Sequence, residues 1–265
     1  IKDGTFALDL GDPDLENPCA ETVYRDTTGG VYVGDCDIRM MVGRDPGGHP
    51  SHKNAWHLPI SFPGATWSSG AAVIFDNKNY VAAGTALVFD AAGGQQTRFA
   101  LAKVDSAGNL VGSFGSNGTV TQGLSGCQVE LADLGRWIRP DPVTPTRDLT
   151  GYVAAGTAAC PGKENQVVLM RFRDNGTLDP SFGSGGIAVQ DLPAGTDLLT
   201  IHALHQQVSL DYDVLVTGGT TSGELFVAQF EDTTGSYDPL FAGNGHTVIS
   251  VPDHGEVMGW DIDQM

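Results

Sequence analysis

Short apolar or alternating runs separated by Gly-rich turns fill most of this chain. FALAKV at 99–104, VVLMRF at 167–172 and LFVAQF at 225–230 are each followed by a Gly-rich phrase and then by another short apolar run. Runs of this length with a period of two indicate β-strands. Because no segment carries the 3.6-residue period of an amphipathic helix, the pattern predicts an all-β protein.

The strand pattern repeats along the chain. YVAAGTA at 80–86 recurs unchanged at 152–158, and each unit contains four strand-like runs. Tandem units of four antiparallel strands are typical of a β-propeller. We therefore predict a β-propeller built from four-stranded antiparallel blades, with about four to five blades recognisable in this chain. The interpretation is of a single domain over 1–265, or part of one, with blades at approximately 17–62, 70–124, 125–192 and 197–251.

One Gly-rich phrase recurs between the third and fourth strands of each unit. It reads DSAGNLVGSFGSNG at 105–118, RDNGTLDPSFGSGG at 173–186 and EDTTGSYDPLFAGNG at 231–245. Gly supplies positive φ angles in such a turn, and Asp or Asn caps it. The recurring aromatic residues are expected to pack between neighbouring blades; they are Phe114, Phe182 and Phe241.

These residues resemble the bacterial Delta-60 repeat, whose pattern runs roughly alvRlnadGslDtsFGtgG. VVLMRFRDNGTLDPSFGSGG at 167–186 is similar to it throughout, and FALAKVDSAGNLVGSFGSNG at 99–118 is similar in most positions. The resemblance extends over residues 70–251 and fades in 17–62. It implies a propeller-like fold in secreted or surface bacterial proteins, and it transfers no catalytic residues.

The two ends of the chain predict an unfinished ring. GTFALDL at 4–10 matches a fourth strand and VMGWDID at 257–263 matches a first strand, so that 1–10 and 256–265 are expected to be partial-blade strands. Without the second and third strands between them, sheet edges would be exposed. We favour a companion chain or a continuation of the sequence as the source of those strands. The alternatives are an oligomer that completes the sheet, or an arrangement of residues 17–62 that lets the ring close alone.

The four cysteines allow two cross-strand disulfides. Pairing Cys19 with Cys36 centres a hairpin on the turn-like DTTGG, and pairing Cys127 with Cys160 centres another within RPDPVTPTRD. Both midpoints fall between extended runs, as opposed cross-strand positions require. Two disulfides predict an extracellular or periplasmic protein; the alternative is four buried free thiols.

Charge restricts the partners. The chain has 32 acidic and 14 basic residues and a formal net charge of −18. Such a charge repels nucleic acid and anionic membrane surfaces, and no apolar run is long enough to span a membrane. We therefore expect neither a nucleic-acid partner nor a membrane span. The first residue is Ile rather than Met, which suggests a processed chain.

The acidic residues concentrate in loops that differ between the repeats. A cluster within DPDLEN is a candidate Ca²⁺ site because Ca²⁺ prefers six to eight oxygen ligands; its residues are Asp12, Asp14 and Glu16. Further candidate ligand-binding acids are Asp35, Asp37, Asp90, Asp191, Asp197, Asp253 and Glu256. Solvated surface acids are the alternative, and no cofactor is required by this interpretation.

Aromatic residues outside the repeat pattern offer a second kind of site. Trp56 and Trp67 lie in or near the irregular segment, and Trp137 and Trp260 fall on predicted first strands. An exposed indole can stack on the apolar face of a sugar, whereas a buried one is part of the core.

The sequence predicts a secreted binding or assembly scaffold. Its expected partner is another protein chain that completes the propeller, or a surface glycan, and the chain could be one part of a processed larger protein. The alternative is a propeller-fold hydrolase or lyase that acts on a polysaccharide through axial carboxylates. No motif identifies catalytic residues for it.

Overall fold

A computed structural model gives the architecture of most of the chain. It describes residues 60–250 except 77, 91–92, 106, 142, 145, 194–195, 197 and 207–211, together with the strand backbones at 22–25, 31–34, 39–43 and 56–59. In the strand at 198–206, Ile201 is the residue whose side chain is described.

The described residues form four antiparallel sheets, each of four strands in sequence order. Sheet 1 contains β1 (Thr22–Arg25), β2 (Val31–Gly34), β3 (Arg39–Gly43) and β4 (Trp56–Pro59), and sheet 2 contains β5 (Ala65–Asp76), β6 (Asn79–Phe89), β7 (Gln95–Asp105) and β8 (Thr119–Gln122). Sheet 3 contains β9 (Gln128–Pro140), β10 (Asp148–Ala159), β11 (Gln166–Arg173) and β12 (Ile187–Gln190), and sheet 4 contains β13 (Leu198–Gln206), β14 (Val214–Thr220), β15 (Leu225–Phe230) and β16 (His246–Ile249). The predicted all-β class is confirmed.

Alternate residues of the central strands face two different neighbouring sheets. On β7, Phe99 and Leu101 pack in the cluster between sheets 2 and 3, whereas Ala100 and Ala102 pack in the cluster on the opposite face of sheet 2. Side chains along a strand alternate between the faces of its sheet. Since both faces are covered, the middle of such a strand, as at 99–102, is apolar at successive positions rather than at every second position.

The sheets stack in sequence order. β5 contacts β1 and β2, β9 contacts β5, β6 and β7, and β13 contacts β9 and β10. Among the described strands, no comparable contact joins sheet 4 to sheet 1. The stacking of successive sheets is therefore seen, and a closed ring is not.

A disulfide closes one end of sheet 3. Cys127 and Cys160 are bonded, with their Cα atoms 4.3 Å apart, directly beyond the paired residues Gln128 and Ala159. The predicted Cys127–Cys160 bond is thus confirmed. The predicted partners Cys19 and Cys36 lie outside the described residues.

Helices are absent from the part of the chain that the structure describes, so none there is long and apolar enough to cross a membrane.

Candidate functional site

The repeated Gly-rich turn joins neighbouring sheets through the backbone. The Gly115 N–H of sheet 2 donates to the Asn175 carbonyl in the sheet 3 turn over 2.7 Å, and the Gly183 N–H of sheet 3 donates to the Thr233 carbonyl in the sheet 4 turn over 2.9 Å. The same hydrogen bond therefore occurs at both of these interfaces. We call the Gly-rich phrase that makes this contact the docking turn; it comprises 105–118 in sheet 2, 173–186 in sheet 3 and 231–245 in sheet 4.

Two aromatic residues of the docking turn fill the space between sheets. Phe114 belongs to the apolar cluster between sheets 2 and 3, and Phe182 belongs to the cluster between sheets 3 and 4. Both rings are almost completely buried. The expected packing of these two Phe residues between sheets is confirmed.

A glycine one or two residues after the accepting carbonyl has no room for a side chain. Gly176 has φ +82° and Gly235 has φ +63°. A Cβ atom on Gly176 would lie 2.8 Å from Val120 Cγ2 of sheet 2, and one on Gly235 would lie 2.8 Å from Phe182 Cζ of sheet 3. Positive φ and close approach together explain why the phrase keeps glycine here.

A buried ion cluster links sheets 3 and 4. Arg171 of β11 has no exposed surface. Its Nε lies 2.9 Å from Asp179 Oδ2 in its own docking turn, and its Nη1 lies 2.7 Å from Asp232 Oδ1 in the turn of sheet 4. Its guanidinium carbon is 4.3 Å from the ring centroid of Trp137 and 4.8 Å from that of Phe182. One cation thus holds two carboxylates from successive repeats.

The cluster shifts the pKa values of its members. Burial lowers the pKa of Arg171, against the charges of Asp232 and Asp179. Burial alone would raise the pKa of Asp179, but the Ser181 backbone N–H and the charge of Arg171 outweigh it and leave this pKa below its usual value. Arg139 also pairs with Asp232, at 3.1 Å. These charges neutralise one another inside the interface.

Lys103 takes the position of Arg171 at the interface of sheets 2 and 3. Its Nζ donates to Asp76 Oδ2 over 2.8 Å and to the Tyr152 hydroxyl over 2.7 Å. The Tyr152 hydroxyl and Arg136 also contact Asp76. Burial lowers the pKa of Lys103, opposed by the charge of Asp174, and burial raises the pKa of Tyr152. The second interface therefore has an ion cluster of the same kind.

In sheet 4, the position that corresponds to Arg171 and Lys103 holds the neutral residue Gln229. Gln229 Nε2 donates to Asp213 Oδ2 and to Asp238 Oδ2, each over 2.8 Å. Phe241, at the position of Phe114 and Phe182, is half-buried. No sheet follows sheet 4 among the described residues.

Two of the candidate ligand-binding acids fall within the described residues, and the structure does not bring them together. Asp90 Oδ1, at the end of β6, accepts the Gly94 N–H over 2.7 Å within a turn. Asp191, after β12, pairs with Lys163 at 3.1 Å, and hydrogen bonds from Lys163 and Gln166 lower its pKa. Both carboxylates therefore have local partners.

The other candidate acids lie outside the described residues. These are Asp12, Asp14, Glu16, Asp35, Asp37, Asp197, Asp253 and Glu256. Within the described part of the chain, no group of three or more His, Cys, Asp or Glu is placed to hold a metal ion.

Two adjoining cavities lie at the end of the sheets opposite the docking turns. The first, which we call the Trp67 groove, has a volume of about 380 Å³, and the second has a volume of about 550 Å³. Gln128 lines both. The Trp67 groove lies between sheets 2 and 3, and its lining includes Trp67, Ser69, Thr85, Glu130, Thr157 and Asn165.

Trp67 and Trp137 have opposite environments. Trp67, near the start of β5, is 50 % exposed, whereas Trp137 is 1 % exposed. Trp137 is therefore core, whereas about half of the Trp67 surface is accessible to solvent. The prediction that Trp67 lies outside the repeat pattern was wrong, because Trp67 belongs to β5, the first strand of sheet 2.

Sequence reasoning missed the ion clusters and the polar lining of the groove. Arg171 and Asp179 stand at the R and D positions of the repeat phrase, a signal that could have identified the pair. The groove residues Ser69, Glu130 and Thr157 carry no such signal, because their proximity depends on how two sheets meet.

No protein-family model matches this chain, and no curated protein matches it in sequence. The resemblance to Delta-60 repeats consequently stays a prediction.

Proposed function

We propose that this chain forms part of a β-propeller of Delta-60-like blades that acts outside the cytoplasm as a binding and assembly scaffold. The observation that carries the proposal is the docking turn, which joins sheet 2 to sheet 3 and sheet 3 to sheet 4 by the same hydrogen bond. Sheet 4 presents a third copy of the turn. The partner is another polypeptide whose sheet carries the same repeat.

The chemistry of the docking turn defines what the partner must bring. At each described interface the following sheet supplies an accepting carbonyl and a nearby glycine with positive φ; Gly176 directly follows Asn175, and Gly235 lies two residues after Thr233. Sheet 4 offers Phe241 to receive such a turn. A side chain in place of that glycine would collide with the ring, which favours a partner that carries the same repeat.

Two further features support a scaffold outside the cytoplasm. The Cys127–Cys160 disulfide is of a kind that persists in oxidising compartments. The buried charges Arg171, Lys103 and Asp76 all make contacts between sheets, Arg171 with Asp232 and the other two with Tyr152. Because these groups stabilise the interfaces, they favour a structural role over acid–base catalysis. No observation on the described residues favours the hydrolase or lyase alternative.

Variants of sheet 4 test the assembly role. Phe241→Asp places a charge in the surface that receives the next sheet, and we expect it to abolish association because an unpaired charge would be buried. Leu240→Asp is the matched control, since Leu240 is the neighbouring residue and is 86 % exposed. The measurement is native mass spectrometry of tagged chain recovered from its natural host.

The co-purified polypeptide must itself carry the repeat phrase for the proposal to hold. Loss of that polypeptide with Phe241→Asp, and its retention with Leu240→Asp, is the expected result. Far-ultraviolet circular dichroism checks that both variants keep the β-sheet fold. Retention of the partner by a folded Phe241→Asp variant would contradict the proposal.

A further inference from the structure

The Trp67 groove combines an exposed indole ring with side chains that have no hydrogen-bond partner in the described part of the chain. Trp67 is 50 % exposed. Among the described residues, the side chains of Ser69, Glu130 and Thr157 make no hydrogen bond or ion pair. A flat apolar ring beside available hydroxyl and carboxylate groups suits a ligand with one apolar face and a polar rim.

The walls of the groove are fixed by hydrogen bonds between sheets 2 and 3. The Leu131 N–H donates to Thr85 Oγ1 over 2.9 Å, and the Val129 N–H donates to Thr97 Oγ1 over 2.7 Å. Each threonine thereby accepts one bond and keeps its own hydroxyl proton for another partner. The groove is preorganised, which reduces the entropy lost when a ligand binds.

Gln128 connects the Trp67 groove to the second cavity. Its Oε1 accepts the Thr97 N–H over 2.7 Å, and its Nε2 donates to the Gln95 carbonyl over 2.9 Å. Beyond it, the second cavity is lined by planar polar groups that include Gln96 and Arg98. Arg98 Nη2 donates to Gln96 Oε1 over 3.2 Å. The two cavities together form an elongated polar surface, which fits a chain of sugar units better than one compact molecule.

Charge and polarity argue against nucleic acids, acidic polysaccharides and lipid tails as ligands of the groove. The formal net charge of −18 and the exposed carboxylate of Glu130 oppose nucleic acids and acidic polysaccharides. Hydroxyl and amide groups in the lining are unsuited to a lipid tail, because burying them against hydrocarbon would leave them without partners. A neutral sugar offers hydroxyls for these groups and C–H bonds for the indole ring.

We infer that the Trp67 groove binds a neutral oligosaccharide, with one pyranose ring stacked on Trp67 and its hydroxyls bonded to Ser69, Glu130 and Thr157. This inference names a ligand class for the proposed binding scaffold and rests on that role. It uses the end of the sheets opposite the docking turns, so that sugar binding and assembly involve separate surfaces.

The probe is an array of neutral oligosaccharides, followed by calorimetric titration of the wild-type protein with the strongest binder. We expect Trp67→Ala to weaken binding by at least about tenfold, as loss of a central aromatic contact does. Phe89→Ala is the matched control, because Phe89 is also on sheet 2 and is 47 % exposed but lines neither cavity. Its affinity should equal that of the wild type.

The inference is overturned if no neutral oligosaccharide on the array binds the wild type, or if the Trp67→Ala variant binds as tightly as the wild type. The native mass tests the assembly role independently of the sugar affinity. Trp67→Ala should keep the native mass of the wild type, and Phe241→Asp should keep the sugar affinity. Loss of sugar binding in both variants would indicate a shared surface and would contradict the inference.

Discussion

Arg171 shows how one residue of the repeat stabilises an interface. Its guanidinium group is fully buried between Asp179 and Asp232, which belong to successive docking turns. Removal of one partner from a buried ion cluster leaves the opposite charges uncompensated. We therefore expect Arg171→Met to lower the free energy of unfolding by about 3–5 kcal/mol, measured by urea denaturation.

Arg173→Met is the control for that prediction. Arg173 lies two residues away, is 54 % exposed and reaches Asp179 at 3.6 Å. An exposed ion pair contributes about 0–1 kcal/mol, so this variant should be close to the wild type. Equal losses in the two variants would show that burial of Arg171 is not what stabilises the interface.

Asp179 gives the cluster a defined dependence on pH. Its pKa is lowered in the folded protein relative to about 3.9 in an unfolded chain. Its stabilising contribution is therefore complete above the unfolded pKa and is lost as the pH falls through the folded pKa. The destabilisation caused by Asp179→Asn should be largest near neutral pH and should shrink below about pH 4.

Urea unfolding of the wild type and of Asp179→Asn across this pH range measures the effect. A difference in unfolding free energy that stays constant from neutral to acid pH would mean that the ionised carboxylate of Asp179 contributes nothing.

At the scale of the sheets, Gly176 is where two repeats come closest. Gly176→Ala introduces a methyl group 2.8 Å from Val120 Cγ2 and 2.9 Å from Gly115 N, across the interface of sheets 2 and 3. Gly162→Ala is the matched control, since Gly162 also has positive φ but a methyl group there would meet no atom within 4 Å. Both variants strain the backbone, and only the first crowds the interface.

We expect Gly176→Ala to cost about 1–3 kcal/mol more than Gly162→Ala, the usual range for overpacking. Thermal and urea unfolding of both variants provide the comparison. Equal losses would show that glycine is needed here for its φ angle alone.

The disulfide belongs to the same scale, because it ties the start of β9 to the end of β10. It spans 33 residues of sequence, and closing a loop of this size stabilises a fold by about 2–4 kcal/mol. The double variant Cys127→Ser, Cys160→Ser should lose that amount in the free energy of unfolding. Addition of a reductant should not change the free energy of unfolding of the double variant. If a reductant also left the free energy of unfolding of the wild type unchanged, a structural role for this bond would be contradicted.

The local sequence was sufficient to predict those features of the sheets that depend on neighbouring residues alone. Short apolar or alternating runs bounded by Gly-rich turns predicted strands such as 99–104 and 167–172, and cross-strand spacing predicted the Cys127–Cys160 pair. Trp67 was misplaced because the first five residues of β5 are exposed or only partly buried and lack an apolar pattern. Its position in a groove depends on contacts between two sheets, which no local pattern encodes.

For the molecule as a whole, the same limit applies to function. The variable loops and their acids could be identified from sequence, but Asp90 and Asp191 prove to be held by local partners. The sequence identified the docking turn as a repeated phrase. It could not show that the turn links neighbouring sheets, because its hydrogen bonds join residues that are far apart in the chain. Under the proposed assembly role, the arrangement of the whole molecule depends on a polypeptide that docks on sheet 4.

Native and denaturing mass spectrometry of the protein from its natural source tests that assembly most directly. We predict a native mass above that of one polypeptide, and release on denaturation of a further polypeptide that carries the repeat phrase. A native mass equal to that of a single polypeptide would contradict the docking of another repeat-bearing chain on sheet 4.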